Sequence, residues 1–406
     1  LREYLSSIGI RSFENQQVED QKEAALAVQI EGPFDSNYSL AVVNRELARA
    51  MSAFESRTGL RSHEGTGDFL PSVEFLDRNP DLKRLHENST SSDVPPRTAL
   101  RFCYPPYLDN MPAGQRIVHS YGWEETGFPI AYVEEFNRRA DAISVLSPFV
   151  AKVLRDSGVR VPIVVTGAGV DHLLRLEKVP LRAAISKQAK SFRFLHVSSC
   201  FPRKAVDVLL QAYAKAFRAS DDVTLIIKTF ENIHNTVVSD LEGMRRDDAD
   251  FPHVIVVTED LPEAELAALY AFADAFVAPS RGEGLGLPLA EAMLFERPVI
   301  TTGWGGQTYF CTEQTAWLCD YQLSKAETHM GLTHSLWAEP DLAHLAELMR
   351  RVFEAPQSVI QQKVSVAREL VMSNFTWLKT AERIRKMISD LEAEPVLRKQ
   401  AKIAWI

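Results

Sequence analysis

Short, continuous apolar runs alternate with helix-patterned stretches along this chain, and they come in two series. In the first, AALAVQI (24–30) passes through a Gly-containing loop into SLAVVNRELARAMSAF (39–54), whose apolar residues recur at helical spacing. TALRFCY (98–104), QRIVHSY (115–121), ADAISVLS (140–147) and VPIVVTG (161–167) continue the series, with helices predicted near 130–139 and after Pro148. Runs that are apolar at nearly every position suit strands buried on both faces, which a parallel, doubly wound sheet covered by crossover helices provides. Residues 175–191 are charged and carry no strand signal, and the alternation restarts at FRFLHVSS (192–199). Strands at 192–198, 223–230, 253–258, 274–280 and 298–302, with helices at 204–218, 236–245, 262–272 and 287–296, make a second α/β series. Three helical patterns, 340–354, 357–372 and 376–392, close the chain. The expected division is a first domain over 1–185, a second over 186–375 and a terminal segment over 376–406. HENSTSSDVPP (86–96) reads as a surface loop.

Composition narrows the function classes. With 406 residues, 46% hydrophobic and 24% charged, the chain has the make-up of a folded protein of two or three domains. A net charge of −9 offers no basic platform, so nucleic acid is not an expected partner. Cys103, Cys200, Cys311 and Cys319 show no metal-ligand spacing and suit free thiols in a reducing, cytoplasmic setting. No run reaches the roughly 18 apolar residues that span a bilayer, and 1–23 is too polar for a signal peptide. The start at Leu1 leaves room for the chain being a segment of a longer polypeptide.

In open parallel sheets ligands bind beyond the carboxyl ends of strands. APSRGEGLGLPLAEAM (278–293) leaves a predicted strand there and enters a helix. Its glycines let backbone approach a ligand, Pro288 suits a first helical turn, and the free amides around Leu285 to Leu287 form an anion site. Glu283 and Glu291 stand beside that site, where a carboxylate can hold paired sugar hydroxyls; acids in a first turn equally complement the helix dipole. A second loop, SSCFPRKAVDVLLQAY (198–213), presents Arg203 and Lys204. Charge-assisted bonds from such a pair to a diphosphate contribute roughly 1.5–3 kcal/mol each and can stand in for a divalent metal. TTGWGGQTYF (301–310) supplies further backbone amides. DDAD (247–250) reads as a solvated loop rather than a metal motif.

Together, EGLGLPLAE with its E-x7-E spacing, the preceding APS, the RK pair and GWGGQTYF resemble the donor domain of retaining GT-B glycosyltransferases of family 4, the glycosyl transferases group 1. IEGPFDSNYSLAVVNRELARA, HSYGWEETGFP, SPFVAKVLRDSGV and GAGVD resemble the first half of one branch, so the likeness spans residues 24–393. Two departures stand out: Ala205 where a Gly usually follows the Lys, and Ala168-Gly169 where P-N-G is frequent. The resemblance implies a GT-B fold, two Rossmann-like doubly wound parallel-sheet domains with a cleft between them. It implies donor binding by Arg203, Lys204, Glu283, Gly284, Leu285, Gly286, Leu287 and Glu291, joined by Lys228, Thr258 and Leu261. Glu291 would hold the ribose and Glu283 the transferred sugar. Gly32, Asp35, Asn37 and Tyr38 would line the acceptor side, and Glu124, His119 and Glu283 would be the catalytic candidates.

The function this implies is retaining transfer of a hexose from a nucleotide diphosphate sugar to a glycan or lipid-linked glycan. No metal and no cofactor beyond that co-substrate would be needed. The setting would be bacterial surface polysaccharide synthesis, in the cytoplasm at the inner face of the membrane, with peripheral membrane contact. A dehydrogenase would need G-x-G-x-x-G after a first strand, and neither EGPFDSNYS nor SSCFPRKA supplies it. A nucleotide-sugar epimerase, a phosphorylase on the same fold and a non-catalytic sugar-nucleotide-binding subunit remain alternatives.

Overall fold

In the computed structural model, which describes residues 25–393 apart from 65–66, 92–93, 113 and 329, the apolar runs become strands because each can be covered on both sides. The opening segment 1–23 and the end of the terminal segment, 394–406, lie outside the described residues. The first domain runs β1 (Val28–Glu31), α1 (Ser39–Ser52), β2 (Thr58–Arg61), the small β3 (His63–Glu64) and β4 (Gly67–Asp68), α2 (Val73–Arg78), α3 (Pro80–Thr90), β5 (Thr98–Arg101) and β6 (Gln115–Tyr121). It ends with α4 (Ile130–Arg139), β7 (Ala142–Val145), α5 (Pro148–Asp156) and β8 (Ile163–Val165). Six strands pair in the order β2-β1-β5-β6-β7-β8, all parallel. Ile30, Leu100, Ile117 and Ile143, one from each of four neighbouring strands, are fully buried, and each such side chain contributes about 1.5–3 kcal/mol through burial.

The second domain repeats the plan after a short α6 (Ala183–Ser186). Its elements are β9 (Phe192–Val197), α7 (Val206–Ala216), β10 (Val223–Lys228), α8 (Val237–Asp247), β11 (His253–Val257), α9 (Glu263–Phe272), β12 (Ala275–Ala278), α10 (Leu287–Leu294), β13 (Val299–Thr302) and β14 (Trp317–Cys319). The sheet order is β11-β10-β9-β12-β13-β14, again parallel throughout. An antiparallel hairpin, β15 (Tyr321–Lys325) and β16 (Leu336–Pro340), follows. Helices α11 (Leu342–Glu354), α12 (Gln357–Asn374) and α13 (Trp377–Ala393) complete the chain. The last of these packs on α1 of the first domain. Its start is pinned there: the Trp377 amide donates to Asp171 Oδ1 at 2.8 Å and the indole N–H to His172 Nδ1 at 3.2 Å.

Two expectations change. The stretch read as a loop from residue 86 is helical through Thr90, because Pro80 opens α3 and Leu82, Leu85 and Ser89 bury one face against β2. Earlier in the chain, Thr58–Arg61 (β2) supplies an edge strand that the alternation did not reveal. Ala205 holds the left-handed conformation that ordinarily favours glycine, with φ 52° and its methyl fully buried. The turn accommodates alanine there at a backbone cost of about 1–2 kcal/mol. Among the described residues no helix is long and apolar enough to cross a membrane.

Relief of that backbone cost in Ala205→Gly is offset by loss of a buried methyl worth about 0.8 kcal/mol. Its unfolding free energy should stay within about 1 kcal/mol of wild type. Ala205→Val adds β-branching in the left-handed region and excess volume, and should lose about 2–4 kcal/mol; denaturant titration of both variants measures the contrast.

Candidate functional site

A doubly wound sheet leaves a crevice where the strand order reverses, because loops from the two flanking strands diverge to opposite faces. In the second sheet that point lies between β9 and β12. The loop after β9 forms a short turn, Pro202–Lys204, and the loop after β12 runs through residues 279–286 into α10. The polar groups the sequence singled out in these loops meet. Lys204 Nζ donates to Glu283 Oε1 at 2.5 Å, and Ser280 Oγ donates to the same oxygen at 2.8 Å. Both members of the ion pair are 8% exposed. Arg203 Nη1 lies 3.8 Å from Glu283 Oε2, and its Nη2 lies 3.3 Å from Glu124 Oε1 of the first domain.

Burial opposes charge at Glu283, but Lys204 and Arg203 hold its carboxyl below the usual carboxylate range, so it stays ionised. Burial, reinforced by the Arg203 charge, draws the Lys204 ammonium below its usual value. Removing one member of such a pair strands the other charge, at a cost of about 3–5 kcal/mol. Gly286 caps α10 in the left-handed region, at φ 86°, and turns the Leu287 end of the helix toward the crevice. Gly282 serves a different purpose, since a Cβ there would sit 2.1 Å from Glu124 O of the other domain. Ser147, which caps α5, donates to Gly284 O at 2.6 Å across the same seam. Between α5 and the 305–309 loop lies a cavity of about 190 Å³, lined by both domains.

Glu291 lies in the helix that follows, 9% exposed, where Tyr270 donates its hydroxyl to Oε2 at 2.7 Å. Burial pushes its carboxyl up to about 7, against the Tyr270 hydrogen bond and with help from Glu263. Lys228 ends β10 half-buried, donating to Thr229 O at 2.6 Å, and burial lowers its ammonium. Thr258 and buried Leu261 follow β11, beside Asp260, which accepts from Asn37 of the first domain at 3.4 Å. Asp35 in that same first-domain loop accepts from the Ser72 amide at 2.7 Å, and Tyr38 precedes α1 with partial exposure.

His119 is placed differently from the groups lining the seam. It is fully buried, and burial takes its imidazole down to about 3, so the ring is neutral. Asn44 Nδ2 donates to Pro33 O and Phe102 O, which leaves Oδ1 to accept and puts the His119 proton on Nε2, at 2.8 Å. Nδ1 has no partner. Gly32 belongs to the same unit, for a Cβ there would meet Asn44 Nδ2 at 2.2 Å. Sequence reasoning missed Asn44, Ser147, Ser280 and Arg281, whose partners are mostly far away along the chain. DDAD begins on Asp247, the last residue of α8, and continues as a surface loop in which Asp250 pairs with Arg218 at 3.6 Å. Among the described residues no group of three or more His, Cys, Asp or Glu gathers as a metal site.

Residues 191–328, about a third of the chain, match the family model of glycosyl transferases group 1. Among solved structures the chain is similar to a sucrose-phosphate synthase from Thermosynechococcus elongatus, at 16% identity and TM-score 0.59, over 90% of this chain and 99% of that one. A glycosyltransferase from Rickettsia africae shares 15% identity at TM-score 0.65, over 91% and 99%. The HepE protein of Anabaena, in complex with UDP and glucose, shares 15% at 0.63, over 89% and 99%. At these identities the likeness establishes the fold, which is GT-B. No curated protein matches the chain.

The Glu291 carboxyl titrates near 7 when folded, above its ordinary 4.5. The native protein therefore holds the extra proton between those values, and this contribution to stability, complete below 4.5, is lost as pH rises toward 7. Glu291→Gln keeps an acceptor for Tyr270 and removes the titration. Its unfolding free energy, measured by denaturant at a series of pH values, should decline less than wild type across that window, by on the order of 3 kcal/mol.

Proposed function

We propose that the protein is a metal-independent, retaining glycosyltransferase of the family 4 type. It moves a hexose from a nucleotide diphosphate sugar to a hydroxyl of a glycan or lipid-linked glycan. One observation carries the reading: Arg203, Lys204 and the N-terminus of α10 converge at the β9/β12 crevice, with Glu124 reaching in from the opposite domain. The matched family model and the nucleotide-sugar complexes of the HepE protein support it.

In this reading the diphosphate lies against the cations and the helix amides. Negative charge builds on it as the sugar leaves, so groups already in place favour the transition state over the ground state. Glu283, held ionised, accepts hydrogen bonds from the transferred hexose. Glu291 accepts from the ribose hydroxyls, with Lys228, Thr258 and Leu261 toward the base. Glu124 takes the acceptor side of the reacting sugar. His119, neutral and tied to Asn44, shapes the first-domain wall rather than moving a proton. Gly32, Asp35, Asn37 and Tyr38 form the acceptor rim. The acceptor belongs to bacterial surface polysaccharide assembly at the inner face of the membrane.

A thermal-shift screen of UDP-, GDP- and ADP-sugars, followed by product analysis with glycan acceptors, tests the proposal. Transfer with retained anomeric configuration, persisting in excess chelator, is expected. Interconversion of the donor without an acceptor would identify an epimerase, and binding without turnover a non-catalytic subunit. Arg203→Ala and Lys204→Ala should each lower turnover about a hundredfold; near-normal rates would remove these residues from the mechanism.

A further inference from the structure

Arg281 sits inside the loop after β12, between Ser280, which holds Glu283, and Gly282, which meets the other domain. A cation there invites assignment as a third phosphate ligand, but its hydrogen bonds say otherwise. Nε donates to Glu339 Oε2 at 2.7 Å and Nη2 to Glu339 Oε1 at 2.8 Å. Nη1 donates to Pro202 O at 2.5 Å and to Asp207 Oδ1 at 3.0 Å, and Nη2 also donates to Asp207 Oδ2 at 2.8 Å. All five N–H groups of the guanidinium are thereby committed, and none is left for a ligand. The side chain is 10% exposed and lies over the Trp337 ring at 5.5 Å. By contrast Arg203, a quarter exposed, reaches Gly282 O at 3.4 Å, Glu124 Oε1 at 3.3 Å and Glu283 Oε2 at 3.8 Å, all longer than any bond Arg281 makes, so its guanidinium is less committed and can turn to an anion.

Main-chain bonds repeat the pattern. The Arg281 amide donates to Arg203 O at 2.7 Å, and the Ala338 amide donates to Arg281 O at 2.9 Å. One residue thus joins the Pro202–Lys204 turn, the start of α7 through Asp207, and the strand β16 through Glu339. That strand is in turn tied to the first domain, where the Leu336 amide donates to Thr126 Oγ1 at 2.8 Å and the Gly127 amide to Ser335 Oγ at 2.8 Å.

We infer that Arg281 is a positioning residue that fixes the Arg203–Lys204 turn against the loop bearing Glu283, so that both cations face one diphosphate. The inference rests on the functional reading above. A lysine has no rigid fork and cannot serve Asp207 and Glu339 together, so Arg281→Lys should let the turn drift; misplacement of about 1 Å at such a site can cost on the order of a hundredfold. Glu339→Gln weakens the same tie from the hairpin side, at a carboxylate exposed enough to be replaced without loss of the fold.

The test is calorimetric titration of UDP and UMP, GDP and GMP, and ADP and AMP into wild type, Arg281→Lys and Glu339→Gln. In wild type one diphosphate should bind more tightly than its monophosphate. Both variants should narrow that ratio, roughly tenfold for Arg281→Lys and less for Glu339→Gln, with monophosphate affinity nearly unchanged. A purely structural role would weaken both nucleotides alike and leave the ratio intact, and that result in both variants would overturn the inference alone. If no diphosphate binds wild type, the functional reading falls and the inference falls with it.

Discussion

Lys204 and Glu283 neutralise each other in a space with little water, and the arrangement around them follows from keeping that pair solvent-poor yet open to a ligand. A buried charge with no partner is costly, so the lysine and the carboxylate must arrive together from loops 79 residues apart. The parallel sheet accomplishes this by ending β9 and β12 side by side. Ser280 and Arg203 add hydrogen-bond and charge support to the carboxylate, which keeps it ionised against its burial. Under the proposed reading an incoming diphosphate competes with Glu283 for Lys204. The released carboxylate oxygen then becomes available to a sugar hydroxyl, so one exchange of partners couples binding of the leaving group to binding of the group that is transferred.

Much of the architecture was legible because burial on both faces writes itself as uninterrupted apolar runs. FRFLHV, VTLIIK and AFVA could hardly be anything but central strands. The edges were not legible. Thr58–Arg61 is short and, though its first three residues are buried, only Leu60 among them is a large apolar side chain, while the hairpin strand Tyr321–Lys325 is mostly exposed, so neither writes an apolar run. The helix ending at Thr90 was hidden by a Ser- and Thr-rich composition that ordinarily marks a loop.

The site divides along the same line. Glycine-rich turns, the RK pair and the two glutamates lie in local motifs, and the structure brings Arg203, Lys204 and Glu283 within contact of one another. Arg281 stood in plain view within the same motif, but its meaning depends on Asp207 and Glu339, 74 and 58 residues away. Local spacing cannot distinguish a guanidinium that is saturated from one that is free. His119 illustrates the reverse: its sequence context suggested proton transfer, while Asn44, 75 residues distant, commits one ring nitrogen and burial keeps the ring neutral.

The terminal helix has a mechanical consequence. The chain passes out of the first domain beyond residues 170–172 and returns to it at Trp377, and these two passages touch: the Val170 amide donates to Phe375 O at 2.9 Å, next to the Trp377 bonds to Asp171 and His172. Two passages bonded to each other act as a double stitch at one place along the seam: a pull that parts the domains there has to break the main-chain and side-chain bonds of both passages at once, leaving their buried polar groups without partners.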